Sequence, residues 1–348
     1  MDIKLDFDDV LIVPQFSDIT SRSQVTVTRK ITGRWGATLS GVPIVAANMD
    51  GVGTFSMNRA LSQFGVFTAI VKHHTVEDWN IELGSLPFNP LADEINDKLF
   101  ITIGMSADEL TKAMNIASLL KVYGMDTPKI VIDVANGYMN PFYDFIATVR
   151  DAIPNAFIMA GTVVTPDAVE RIIACGADLA RVGIGTGAVC TTRRVAGVGY
   201  PQFSALMECV SAADGMKGGI VSDGGCVHPG DFSKAYGVGA QMVMAGSIFA
   251  GHDESEQDIF DGKVRFYGMS SHAAQEKHGS IKKYRASEGR IVEIPYKGPV
   301  EHTISDILGG IRSTCAYVNA ENIEDMDKQV KFIRVNKQLN TSLEKFSI

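Results

Sequence analysis

The stretch GIGTGAVCTTRR, residues 183–194, places Cys190 behind three alternating glycines and ahead of two threonines and two arginines. Glycines so spaced let the backbone fold tightly and turn its N–H groups inward, and the arginines add positive charge. Both favour the thiolate, which is the nucleophilic form of cysteine. Cys190 is therefore the first candidate for chemistry, with the Thr192 hydroxyl as a candidate proton relay; the bland alternatives are a small core residue and a turn threonine. Two further stretches suit an anion. SDGG (222–225) and AGS (245–247) are of the type that offers backbone N–H groups to phosphate at helix N-termini, although tight turns alone also use glycine. Asp223 would repel a phosphate but would accept hydrogen bonds from a ribose diol, so a nucleotide is the expected ligand. Tyr267 adds a hydroxyl donor to the same set. Lys72 and Asp133 end apolar runs, where charge is costly unless paired or functional, and a mutual ion pair is the structural alternative. Glu288, within YRASEG, is either a carboxylate brought to this site or a solvated surface residue.

These residues need elements to position them. Eight short apolar runs punctuate the chain: PIVAAN (43–48), VFTAIV (66–71), LFITIG (99–104), KIVIDV (129–134), FIMAG (157–161), LARVGI (179–184), GIVSDGG (219–225) and QMVMAG (241–246). Continuous apolar runs of this length suit strands buried on both faces, as in a parallel sheet. Helical periodicity lies between them, as at 107–124 and 166–177, the latter opening on an expected Thr165 N-cap and Pro166 at the first helical position. Eight such units predict a (β/α)₈ TIM barrel rather than a doubly wound sheet. Asn48 to Asp50, Lys72, His73, Gly104, Asp133, Gly161, Thr162, the loop 185–190, Asp223 to Gly225, Gly246 and Ser247 all fall just after a strand, and in a barrel those ends converge on one mouth.

The expected organisation is one catalytic domain, 1–348. An N-terminal β extension (1–42) contains the strand-like LDFDDVLIV and QVTVT, and barrel strands and helices fill 43–250. Residues 251–302 are too long for an ordinary βα loop and carry the strand-like VRFYGM and RIVEIPY; they read as an active-site flap. A final helix (303–318) and a C-terminal tail complete 303–348.

Composition narrows the function classes. A net charge of −8 argues against a nucleic-acid surface. No run of about 18 apolar residues suggests a membrane span, and the acidic start MDIKLDFDDV is unlike a signal peptide. Five cysteines without a CxxC pair point to a reducing compartment, with the cytoplasm as the default, and the adjacent His73 and His74 do not have zinc-ligand spacing.

With these residues in place, the chain resembles the IMP dehydrogenase/GMP reductase family, and most closely its reductase branch. The resemblance runs through LDFDDVL, SRSQV, GVPIVAANMD, VKHHT, DVANGY, MAGTVVTP, VGIGTGAVCTTR, GVGYPQ, SDGGCVHPGD, FAGHDES, FYGMSS, YRASEG and DILGGIRSTCAYV. It implies NADPH-dependent reductive deamination of GMP to IMP and ammonia through a Cys190 thioimidate, in purine nucleotide salvage. Thr192 and Glu288 would then relay protons. Asp223, Gly224, Gly225, Gly246, Ser247, Gly268, Met269, Ser270, Arg285, Ala286, Ser287, Glu288 and Gly289 would hold GMP. Lys72, Asp133, Ala135, Ile184, Gly185, Ser313, Thr314 and Cys315 would contact the cofactor, with Ser21 and Arg22 reaching it from a neighbouring subunit of a homotetramer. A potassium ion at Gly185, Gly187, Cys190 and Arg193 is a further implication. Thr186 and Ala188 stand where the family usually has GPGSVC, Thr162 where MAGN is common, and Gly51 where ANMDT is common. The alternatives are an IMP dehydrogenase-like enzyme without the regulatory insert and a homologue that binds nucleotide without turnover.

Overall fold

The computed structural model describes residues 2–85, 94–279 and 286–335. Strands β1 (Val10–Ile12) and β2 (Arg29–Thr32) precede eight parallel strands: β3 (Thr38–Ala46), β4 (Val66–Ile70), β5 (Leu99–Ile103), β6 (Lys129–Asp133), β7 (Phe157–Val163), β8 (Leu179–Val182), β9 (Gly219–Asp223) and β10 (Met242–Ala245). Each pairs with the next, and β10 returns to β3 through Val243 opposite Ile44, which closes the barrel. All five residues of β4 and of β5 are buried, the physical counterpart of their unbroken apolar runs. The chain is a (β/α)₈ TIM barrel.

The helix after each strand packs outside. Helix Ala107–Val122 begins on Ser106, whose hydroxyl accepts from the Glu109 N–H, and it ends two residues before Gly124, which has φ +84°. Helix Pro166–Ala174 starts at the expected proline but stops three residues short of the expected end. Thr165 occupies the N-cap position without capping, because its hydroxyl pairs with that of Tyr138 at 3.0 Å. The final helix, Val300–Val318, begins three residues earlier than its periodicity suggests.

The N-terminal segment decorates the barrel. Within LDFDDVLIV only Val10–Ile12 is strand, paired antiparallel with β13 (Phe332–Arg334). QVTVT is no strand, and only Thr26 bridges to Asn322. The hairpin of β2 and β3 instead covers the end of the barrel where the strands begin, with the Trp35 N–H bonded to Asp178 there. At the opposite end, the two strand-like runs expected within 251–302 are β11 (Lys263–Tyr267) and β12 (Ile291–Pro295), which pair antiparallel, with helix His272–Lys277 between them. Among the described residues, no helix is long and apolar enough to cross a membrane.

Candidate active site

A cavity of about 270 Å³ opens where the barrel strands end. Its wall is made by the ends of β6 to β10 and the loops after β3, β6, β8, β9 and β10, with Phe266, Gly268, Met269, Ser270 and Glu288 of the flap. Cys190 stands on this wall, half-buried, and its Sγ donates to Thr192 Oγ1 at 3.2 Å. Thr192 Oγ1 donates in turn to Glu288 Oε2 at 2.7 Å. Two hydroxyl-sized steps therefore connect the sulfur to a carboxylate 98 positions away in sequence.

Backbone pairing makes that meeting possible. The Thr191 N–H donates to the Glu288 carbonyl and the Arg290 N–H to the Val189 carbonyl, so the flap adds a strand-like bridge to the cysteine loop. The Arg290 side chain fastens the same join through the Ala188 carbonyl. Gly289 is needed for the approach, since a Cβ there would lie 2.9 Å from the Ser271 nitrogen. The positive charge expected beside the sulfur is differently used: Arg193 donates to Asp6 and to the Tyr200 carbonyl.

The floor carries a charge cluster. Arg181, buried in mid-strand, donates to Asp133 Oδ1 at 2.7 Å and to Asp223 Oδ2 through Nε and Nη2 at 3.1 and 2.7 Å. Burial alone would lower the Arg181 pKa, but Asp223 and then Asp133 hold it above its ordinary value. Burial raises the Asp223 carboxyl despite Arg181, with Asp133 adding to the rise. Asp133 thus pairs with Arg181 rather than with Lys72, which corrects the alternative weighed from sequence. Among the described residues, Asp133 Oδ2 and Asp223 Oδ1 receive no donor, so each carboxylate has one oxygen without a partner.

Around Asp223 the loops fit an anion. Gly224 and Gly225 have φ of +86° and +83°, values open to glycine. The Gly224 N–H is committed to the Met244 carbonyl, so that glycine shapes the turn and does not donate. No acceptor within the described chain takes the N–H groups of Gly225, Gly246 or Ser247. Thr186, a departure from the family pattern, donates to the Asp223 carbonyl at 3.1 Å and ties the cysteine loop to this one.

The cavity wall also includes the candidates Ala135, Ile184, Gly185 and Gly187. Other candidates lie off it. The Tyr267 hydroxyl bonds Asp50 Oδ2 at 2.8 Å rather than facing the cavity. Ser287 donates to the Gly289 carbonyl, Ala286 is exposed, and Arg285 lies outside the described residues. Lys72 does not line the cavity, and its carbonyl accepts from Lys112. Ser21 and Arg22 are exposed on the outer face, and their short turn packs on helix Val300–Val318, which carries Ser313, Thr314 and Cys315. Cys315 is buried, and burial pushes its thiol up to about 12, so its side chain is a packing group. Among the described residues, no cluster of three His, Cys, Asp or Glu side chains could hold a metal.

Sequence reasoning missed Arg181 and gave Asp50 no role. Arg181 had a signal, because an arginine inside the apolar run LARVGI must find partners. Asp50 had only its place after a strand.

A TIM barrel with a cysteine, a hydroxyl and a carboxylate hydrogen-bonded in line at its mouth has the arrangement of an enzyme of nucleophilic catalysis. Comparison with known sequences then places it: the model of the IMP dehydrogenase / GMP reductase domain matches residues 4–342, and the chain belongs to that family. It is 47% identical over 346 residues to human GMP reductase 1, covering 98% of this chain and 97% of that one. Human GMP reductase 2 is 48% identical over 345 residues, 97% of this chain and 96% of the relative. The GMP reductase of Aeromonas salmonicida is 46% identical over 345 residues, 97% of each chain.

Proposed function

We propose that this chain is an oxidoreductase that reductively deaminates GMP to IMP and ammonia with NADPH, in purine salvage. The observation that carries the reading is the line Cys190 Sγ, Thr192 Oγ1, Glu288 Oε2, at 3.2 and 2.7 Å, on the wall of a cavity with an anion cradle. Near-complete alignment with GMP reductases supports the substrate.

In this reading GMP lies with its phosphate on the N–H groups of Gly225, Gly246 and Ser247 and its ribose diol on the free oxygen of Asp223. The Cys190 thiolate adds to C2 of the guanine ring and makes that carbon tetrahedral. The amino group on C2 takes a proton through Thr192 and Glu288 and leaves as ammonia, and the carbon is left as a thioimidate bonded to sulfur. Reduced nicotinamide, when bound, would supply a hydride to C2, after which the Cys190 thiolate would depart and IMP be released. The free oxygen of Asp133, with Ala135, Ile184 and Gly185, fits the cofactor side of the cavity. The Gly187 carbonyl takes the Cys190 N–H, while that of Gly185 has no donor among the described residues, which suits a monovalent cation such as potassium in this loop.

Residues 251–302 act as the active-site flap of a single catalytic domain. Ser21, Arg22, Ser313 and Thr314 lie away from this chain's own cavity, so their contact with cofactor requires a neighbouring copy. Phe16 and Tyr317, both exposed, flank that face and support a homotetramer. The compartment proposed is the cytoplasm.

The test is a paired assay following reduced nicotinamide by absorbance, with GMP plus NADPH in one arm and IMP plus NAD⁺ in the other. Consumption in the first arm alone is expected. Formation in the second alone would make the chain a dehydrogenase, and GMP binding without turnover in either arm would make it a binding protein.

A further inference from the structure

A second cluster fastens the flap to the barrel, and the chemistry above does not use it. Asp50 follows β3, and its side chain is 3% exposed. Its Oδ2 accepts from Tyr267 Oη at 2.8 Å, from His278 Nε2 at 2.9 Å and pairs with Lys277 Nζ at 3.3 Å. All three donors are flap residues, one before helix His272–Lys277 and two at its end. The Asp50 N–H meets Met269 Sδ at 3.3 Å, also in the flap. His73, after β4, stacks on His278 with ring centroids 3.4 Å apart and planes 6° from parallel. Burial alone would raise the Asp50 carboxyl, but Tyr267, His278 and Lys277 hold it below its ordinary value, so it stays a carboxylate. Gly51 has φ +70°, and a Cβ there would lie 2.4 Å from the Gln257 side chain, so the neighbouring residue lets the flap base close over the loop.

We propose that Asp50 is the positioning residue that latches the flap shut and thereby sets Glu288 against Thr192. The mechanical path is short. Tyr267 and Met269, held by Asp50, flank Gly268, whose N–H donates to the Arg290 carbonyl at 3.3 Å. The Glu288 N–H donates to the Ser270 carbonyl at 3.3 Å. Glu288 itself and Arg290, which follows the Glu288–Gly289 pair, are therefore tied to the segment that Asp50 anchors. A carboxylate suits this role because one oxygen collects three donors, two of them cationic when His278 is protonated, which a neutral amide cannot match. The role in catalysis rests on Glu288 being the relay carboxylate; the latch itself does not.

Asp50→Ala and Tyr267→Phe in the full-length protein test the latch by hydrogen exchange and by kinetics. Flap peptides covering 263–279 and 286–296 are expected to exchange at least about tenfold faster in Asp50→Ala, with those covering β6 and β7 unchanged. Deamination of GMP is expected to slow by about tenfold or more. Hydride transfer from IMP to NADP⁺, which moves no amine proton, is expected to change less than about threefold. Tyr267→Phe removes one donor and no charge and should give the same asymmetry at smaller size, which keeps the test decisive if Asp50→Ala loosens the barrel as well. Flap exchange equal to wild type in both variants, or equal slowing of both chemical steps with Glu288→Gln still selective, overturns the proposal. Equal slowing of both steps in Glu288→Gln would instead remove the relay reading and leave the latch to be judged by exchange alone.

Discussion

The barrel holds two buried arginine–aspartate clusters, one at each end, and they are built for different ends. At the closed end Asp178, fully buried, accepts from Arg150 and the Ile158 N–H on Oδ2 and from the Trp35 N–H on Oδ1. Arg150 spends its other donors on the carbonyls of Gly176, Pro154 and Ala156. Both carboxylate oxygens are used. At the mouth Arg181 takes one oxygen from Asp133 and one from Asp223 and leaves the other of each open, with those side chains 30% and 17% exposed. The same residue types thus give a closed structural joint in one place and two oriented acceptors in the other. What separates them is whether the chain itself supplies the last partner or leaves an oxygen open toward the cavity.

That contrast can be broken or sharpened by substitution. Cys190→Ala should give the largest effect: turnover falls by at least about a thousandfold, while GMP dissociation, measured by calorimetry, stays close to wild type. Retained activity within about tenfold would contradict the thioimidate route. Arg150→Met leaves Asp178 buried without its charge partner and should cost about 3–5 kcal/mol in denaturant unfolding. The catalytic constants of the protein that remains folded should not move. Asp223→Asn should do the reverse, weakening GMP by about tenfold or more through the ribose contact while changing unfolding by far less than Arg150→Met. If its stability loss were the larger, the mouth cluster would be structural too.

The smallest effect concerns the thiols. Burial pushes Cys209 and Cys315 up to about 12 and Cys226 well above its ordinary value, so they remain protonated near neutral pH. A thiol reagent at about pH 8 should therefore modify Cys190 first, and GMP should protect it. The three buried thiols should react only as pH approaches their raised values or on unfolding. Rapid reaction of Cys209 in the folded protein would show that this part of the core opens.

Much of this was legible in the linear chain, for identifiable reasons. Strands buried on both faces must be continuously apolar, so seven of the eight barrel strands could be read within two residues of their ends. Strand β3 begins five residues earlier than its apolar run, at Thr38, because its first part pairs with β2 outside the barrel. Glycine with small polar residues after strands marked two of the loops that line the cavity, and Cys190 stood out by its company. Other features resisted. QVTVT has strand composition but lies where only Asn322 pairs with it, because β pairing depends on a partner the local pattern does not contain. Tyr267 was a reasonable ribose donor until Asp50 took its hydroxyl.

Periodicity and local chemistry are properties of neighbours along the chain, and they were enough for the barrel, for its mouth and for singling out Cys190. Only the tertiary structure decided which groups meet across it: Glu288 with Thr192, Arg181 between Asp133 and Asp223, and three flap donors on Asp50. Hydrogen bonds and ion pairs act over a few ångströms of space, and closing a barrel brings together positions that no local pattern links.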